Sequence, residues 1–243
     1  MPDMTTTMSE NAAAGAPSTG TLLAGVELHK SFGKNEALRG ASIEIRAGEI
    51  VAIMGPSGSG KSTLLHCLAG ILRADAGEVH YEGRRIDDLN EARRSELRRE
   101  RFGFVFQFGQ LVPDLTALEN VSLPLRLAGV RRADAARRSH AWLERMDLAT
   151  LASSHPSDLS GGEAQRVAVA RAMVAAPRAI FADEPTGSLD SLNGEMVMDL
   201  LVAAARDQGA AVVLVTHEAR VAAYADREVV IRDGRTVTTP TAA

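Results

Sequence analysis

Residues Gly55-Pro56-Ser57-Gly58-Ser59-Gly60-Lys61-Ser62-Thr63 fit the pattern G-x-x-x-x-G-K-[ST]. Glycines in such a loop let backbone N–H groups close on phosphate oxygens. The N-terminus of a following helix adds positive potential to that cradle. Lys61 can reach the β- and γ-phosphates of a nucleotide, and the Ser62 hydroxyl is a hard ligand for Mg²⁺. The pattern has meaning only between a strand and a helix. Ile50-Val51-Ala52-Ile53-Met54 reads as the strand, and the run from Thr63 to Ala69 reads as the helix. A plain Gly/Ser turn would need neither the lysine nor the hydroxyl, so a phosphate site is expected here.

Two further constellations belong to the same chemistry. The apolar run Ala179-Ile180-Phe181-Ala182 ends in Asp183-Glu184. Asp183 is placed to hold Mg²⁺ directly or through water, and Glu184 to orient and partly deprotonate an attacking water. Leu159-Ser160-Gly161-Gly162-Glu163 precedes a run with helical periodicity. Ser160 and the two glycine N–H groups make a second anion nest at a helix start. The same residues fit a capping box, with Ser160 as N-cap and Glu163 answering it. Both readings can hold together, and the sequence leaves open which nucleotide such a nest would meet.

These residues need a scaffold that brings them to one place. Strand-like runs recur at Gly77–Gly83, Phe102–Phe106, Ala179–Ala182, Ala211–Val215 and Arg227–Arg232, with helical patterns between them. That alternation predicts an α/β fold with a largely parallel sheet. Ligands in such sheets bind at the carboxyl ends of the strands, where Gly55, Asp183 and His217 fall. Short alternating segments from Ala24 to Ile45, with a turn expected near Arg39-Gly40, predict a small antiparallel sheet. The region from Leu115 to Ala176 is mainly helical, with Trp142 and Leu143 expected inside. Arginines and glutamates interleave at helical spacing between Asp87 and Arg101, which reads as a solvated helix face rather than a nucleic-acid patch. Residues 1–23 and 239–243 read as tails.

Composition narrows the class. The 243 residues are 45% hydrophobic and 24% charged, with a net charge of -4. That balance suits a globular domain with no global basic field, and no nucleic-acid partner is expected. The single cysteine, Cys67, permits no internal disulfide and reads as core filler, which fits a reducing cytoplasm. No stretch approaches the ~18 apolar residues of a membrane span. The N-terminus lacks a basic region followed by an apolar one, so no secretory signal is expected. Membrane association must then come through a partner.

In order along the chain, the P-loop, Gln107 after an apolar strand, Leu-Ser-Gly-Gly-Glu at 159–163, Asp183-Glu184, Ser188-Leu189-Asp190 and His217 resemble the nucleotide-binding subunits of ABC transporters. The resemblance spans residues 24–238. It implies a P-loop NTPase core with a small antiparallel β-subdomain and a helical subdomain inserted at about 108–176. It implies ATP and Mg²⁺ as cofactors and ATP hydrolysis in a head-to-tail homodimer. Ser160, Gly161, Gly162 and Glu163 of one copy would then face ATP held by the P-loop of the other. Gln107 is implied as a lid residue that senses Mg²⁺, Asp190 as part of a loop communicating across the dimer, and His217 as the switch at the γ-phosphate. Phe32 stands where the family usually has a tyrosine stacked on adenine, and a phenyl ring keeps the π-face. The other histidines (His29, His66, His80, His140, His155) share no metal-ligand spacing and read as structural.

A narrower resemblance lies in the stretch from Phe104 to Val121, which is similar to the lipoprotein-release, macrolide-export and cell-division ATPases. It implies an integral membrane permease as partner and a place on the inner face of the cell membrane. Two alternatives remain at this level. One is an ATPase that regulates a membrane partner without transport. The other is a soluble ABC ATPase of DNA repair or translation, which the absence of a long coiled-coil insert and of a second P-loop disfavours.

Overall fold

A computed structural model describes residues 20–237. Of the tails expected at 1–23 and 239–243, residues 1–19 and 239–243 lie outside the described residues. Among the described residues, ten strands and seven α-helices form two sheets joined around one helix. The larger sheet has strand order β10-β9-β3-β8-β7-β6. Its strands are β3 (Ile50–Met54), β6 (Phe102–Phe106), β7 (Ala179–Asp183), β8 (Ala211–Val215), β9 (Arg227–Arg232) and β10 (Arg235–Val237). Strands β9, β3, β8, β7 and β6 run parallel, and β10 closes one edge as an antiparallel hairpin.

The smaller sheet is antiparallel, in the order β2-β1-β4-β5. It consists of β1 (Thr21–Phe32), β2 (Asn35–Arg46), β4 (Ala76–Tyr81) and β5 (Arg84–Arg85). Its first hairpin turns at Gly33-Lys34, closed by the pair Phe32 and Asn35, and not near Arg39-Gly40. Gly40 instead lies within β2 at φ 89°, at a register shift between the pairs Leu28–Ala41 and His29–Arg39. A β-bulge leaves one residue unpaired, and positive φ is the form glycine accepts without strain. Strand β1 also starts earlier than expected. Leu22 and Leu23 are buried, so the tail boundary at residue 23 moves back to Thr21.

Side chains on the central strands alternate between two apolar layers, as the period of a strand requires. Phe181, Val213 and Val215 join Leu64, Leu65 and Leu68 of α1 (Lys61–Leu68) and the inner face of the small sheet. Ile180, Ala182, Val212 and Leu214 face the opposite layer. That layer holds α3 (Ala117–Leu127), α4 (Arg132–Arg145), α5 (Gly161–Met173) and α6 (Ser191–Gln208). Trp142 and Leu143 are buried there, as expected. Cys67 lies in the α1 layer, and burial pushes its thiol up to about 12. Helix α2 (Glu91–Arg101) buries none of its residues and is laced by Arg93–Glu96, Arg94–Glu91 and Arg98–Glu91 ion pairs. Arg93, Arg94 and Arg98 are therefore paired within the helix, Arg93 in solvent and the other two with largely covered side chains.

Candidate active site

The P-loop leaves β3 and re-enters helix at Lys61. Gly55 and Gly60 adopt φ 151° and 106°. A Cβ on Gly55 would stand 2.3 Å from the Ile231 carbonyl oxygen, and one on Gly60 2.4 Å from that of Ala37. These glycines are therefore demanded by neighbouring backbone as well as by any ligand. The Lys61 ammonium turns back into the loop. It donates to the carbonyl oxygens of Gly55 and Pro56, each at 2.9 Å, and the residue is only 8% exposed.

One residue along, Ser62 Oγ donates to Asp183 Oδ1 at 3.0 Å. Burial raises the Asp183 carboxyl above its ordinary range, against the pull of the Ser62 hydroxyl. A desolvated carboxylate beside a hydroxyl is a pair of hard oxygen donors, which is the donor set Mg²⁺ prefers. Among the described residues no group of three or more His, Cys, Asp or Glu side chains could hold a metal. Two protein oxygens suit an ion that takes its remaining ligands from phosphate and water.

Asp183 ends β7, and Glu184 follows at φ 47°. A non-glycine residue in that region costs of order 1–3 kcal/mol and marks a position held by its surroundings. The Glu184 N–H donates to the Val215 carbonyl oxygen at 2.9 Å, which holds it against the end of β8. His217, two residues beyond β8, places Nδ1 2.7 Å from Glu184 Oε1. With Glu184 ionised, Nδ1 carries the proton and donates, and Nε2 lies on the far side of the ring. The His217 side chain is exposed and that of Glu184 is mostly covered. The ends of β3, β7 and β8 thus gather Lys61, Ser62, Asp183, Glu184 and His217, three chain-distant segments joined by backbone pairing.

Gln107 follows β6, and its loop is held from three sides. Gln165 Nε2 donates to the Phe106 carbonyl at 2.9 Å, and Ser188 Oγ donates to the Gln107 carbonyl at 2.8 Å. Arg171 donates to the carbonyls of Gly109 and Gln110 at 2.6 and 2.9 Å. Sequence reasoning gave no role to Gln165 or Arg171, and named Ser188 only within the Ser188-Leu189-Asp190 run. Gln165 is 1% exposed on an otherwise apolar helix face, and a buried polar residue on such a face was the available signal.

Ser160 caps α5 in the expected box. Its Oγ accepts from the Glu163 N–H at 3.3 Å, and Glu163 Oε2 receives bonds from Ser160 N and Oγ at 2.8 and 2.7 Å. Those two bonds hold the Glu163 carboxyl below its usual range. Its share of the cap is therefore present above the ordinary glutamate pKa and lost as pH falls through the lowered one. Among the described residues no hydrogen bond or ion pair joins 160–163 to the P-loop. The nest abuts another segment. A Cβ on Gly162 would stand 2.8 Å from Asn193 Oδ1, and Asn193 donates from N and Nδ2 to Asp190, the N-cap of α6. Asn193 is a further residue that no sequence pattern singles out. Phe32, at the end of β1, is 49% exposed.

Ser160→Ala is expected to cost about 1 kcal/mol through the lost cap. The thermal midpoint should drop by about 2–4 °C. Differential scanning calorimetry checks this, and an unchanged midpoint would mean the cap contributes nothing.

Residues 38–187, more than half of the chain, match the profile of the ABC transporter family. The chain belongs to the ABC transporter family. Among curated relatives of this ABC chain is the lipoprotein-releasing system ATP-binding protein LolD of Paramagnetospirillum magneticum. It is 50% identical over 200 residues, covering 82% of this chain and 88% of the relative. The protein of the same name from Porphyromonas gingivalis is 46% identical over 207 residues, covering 85% and 94%. An ATP-binding cassette solved as a dimer in a post-hydrolysis state, bound to ADP and Pi, superposes with a TM-score of 0.82. It is 38% identical, with 89% of this chain and 97% of that one covered. The α/β cassette fold expected from the motifs is the fold of this chain.

Proposed function

We propose that this chain is the ATP-hydrolysing subunit of a lipoprotein-releasing ABC transporter. The observation that carries the reading is one convergence. The caged Lys61 ammonium, the Ser62–Asp183 bond and the Glu184–His217 pair meet at the carboxyl ends of three adjacent strands. Phosphoryl transfer needs those parts at one phosphate: a cation, metal donors and a positioned base.

On this reading the N–H groups from Gly58 to Thr63 bind the phosphates, with Gly55, Pro56 and Ser57 shaping the approach. Lys61 leaves its two carbonyls for phosphate oxygens. Ser62 and Asp183 hold Mg²⁺, with Gln107 completing the set from its braced loop. When bound, Mg²⁺ neutralises charge that develops on the transferring phosphoryl group. Glu184 accepts a proton from the attacking water, and His217 orients that carboxylate while facing the γ-phosphate. Phe32 offers its exposed ring to adenine. Ser160, Gly161, Gly162 and Glu163 complete the site of a second copy, with Asp190 beside them. Two facts support that arrangement: among the described residues the nest makes no hydrogen bond or ion pair to its own P-loop, and a similar cassette is a dimer.

The same reading places the cassette domain at 24–238 (entering its first strand at Thr21), with the helical insert at about 108–176. It makes an integral membrane permease the partner and the inner face of the membrane the site of work. No helix among the described residues is long and apolar enough to cross a membrane. A groove of about 540 Å³ between β6, α2 and α3, with an apolar floor of Phe104, Phe106, Leu123 and Leu127 and with Arg98, Arg99 and Arg171 also lining it, offers the permease a seat. It reaches Gln110, in the loop that follows Gln107.

Co-expression with a candidate lipoprotein-releasing permease, purification in detergent and ATPase assay test the proposal. Stoichiometric co-purification and a hydrolysis rate that changes with the permease are expected. A chain that hydrolyses ATP at one rate with or without it, and binds no membrane subunit, would refute the transporter assignment.

A further inference from the structure

Arg220 lies in α7 (Ala219–Ala222), directly after the segment that carries His217. Its guanidinium bridges two elements. Nε donates to Glu218 Oε2 at 2.6 Å, next to His217 in sequence. Nη1 donates to Ser191 Oγ at 2.7 Å, next to Asp190 in the first turn of α6. No other hydrogen bond or ion pair among the described residues ties 217–220 to 188–194. The side chain is 47% exposed, so its ion pair adds little to folding stability. The setting is also of the wrong sign. A cation at a helix N-terminus faces the positive end of the macrodipole. Stability alone thus gives no reason for an arginine here, whereas geometry does. A rigid fork reaches both partners from separate nitrogens in a fixed geometry, which a flexible ammonium holds less firmly.

We infer that Arg220 is a positioning residue that locks the His217 segment to the Asp190 turn, so that the histidine and the dimer-facing loop move as one unit. The inference rests on the site roles proposed above for His217 and Asp190. Small displacements at a reacting centre carry rate penalties far larger than the energy of the contact that prevents them. Losing the strap should therefore lower kcat and leave ATP affinity alone, because none of the P-loop groups touches it.

The test uses the full chain with Mg·ATP as probe, in the variants Arg220→Ala, Arg220→Lys, Ser191→Ala and the double alanine variant, with His217→Ala as reference. Arg220→Ala is expected to lower kcat about five- to tenfold with KM for ATP within about twofold of wild type. Ser191→Ala should move kcat in the same direction, and the double variant should be no slower than Arg220→Ala. Lysine should recover only part of the loss. Should Arg220→Ala fail to fold, Ser191→Ala and Arg220→Lys give the same reading. A wild-type kcat in the Arg220 variants, or losses that multiply in the double variant, would overturn the strap. Wild-type hydrolysis in His217→Ala would instead remove the site reading beneath it.

Discussion

Lys61→Ala is expected to abolish measurable ATP binding. The ammonium is already desolvated, held by two carbonyl oxygens of its own loop at 2.9 Å each. Exchanging those neutral acceptors for phosphate oxygens turns two bonds charged on the donor side alone into bonds charged on both sides. Such bonds are worth about 1.5–3 kcal/mol each. Losing both weakens binding by about 10²–10⁴-fold. Isothermal titration calorimetry with Mg·ATP measures this directly. An affinity within about threefold of wild type would dismiss the lysine from phosphate binding. Alanine suits the first turn of α1, so the variant should stay folded, which circular dichroism verifies.

Glu184→Gln should separate binding from chemistry. The substitution keeps the size of the side chain and one oxygen for His217 Nδ1, now 2.7 Å from the carboxylate. It removes the basicity. The backbone at φ 47° is a property of the position rather than of the carboxylate, so the fold should tolerate the change. Hydrolysis is expected to fall by roughly 10²-fold or more, as for loss of a positioned base. ATP affinity should stay within about threefold, and an ATP-bound dimer should accumulate on size-exclusion chromatography. Wild-type turnover in this variant would strip Glu184 of its role.

The phosphate loop was legible because everything that defines it is local. Nine consecutive residues, the strand before them and the helix after them lie on one continuous stretch. The ion-paired face of α2 was legible for the same reason, since its pairs lie three or seven residues apart. The hairpin of the small sheet was not. Gly33 and Gly40 are equally able to turn a chain, and only pairing with β1 decides that one turns and the other bulges. Strands β5 and β10 hold two and three residues, too few to show a period. Within the site, Asn193, Gln165 and Arg220 act through contacts 29 to 59 residues away in sequence, and no local pattern announces them.

The solitary Cys67, on the buried face of the phosphate helix with its thiol pushed up to about 12, has a practical corollary. At neutral pH it offers alkylating dyes neither access nor thiolate. The wild-type chain is thus its own background for site-directed labelling. A reporter attached through Leu192→Cys, at a side chain 71% exposed beside Asp190, would be the sole probe on each copy. Two such probes would follow the approach of paired copies as nucleotide is added.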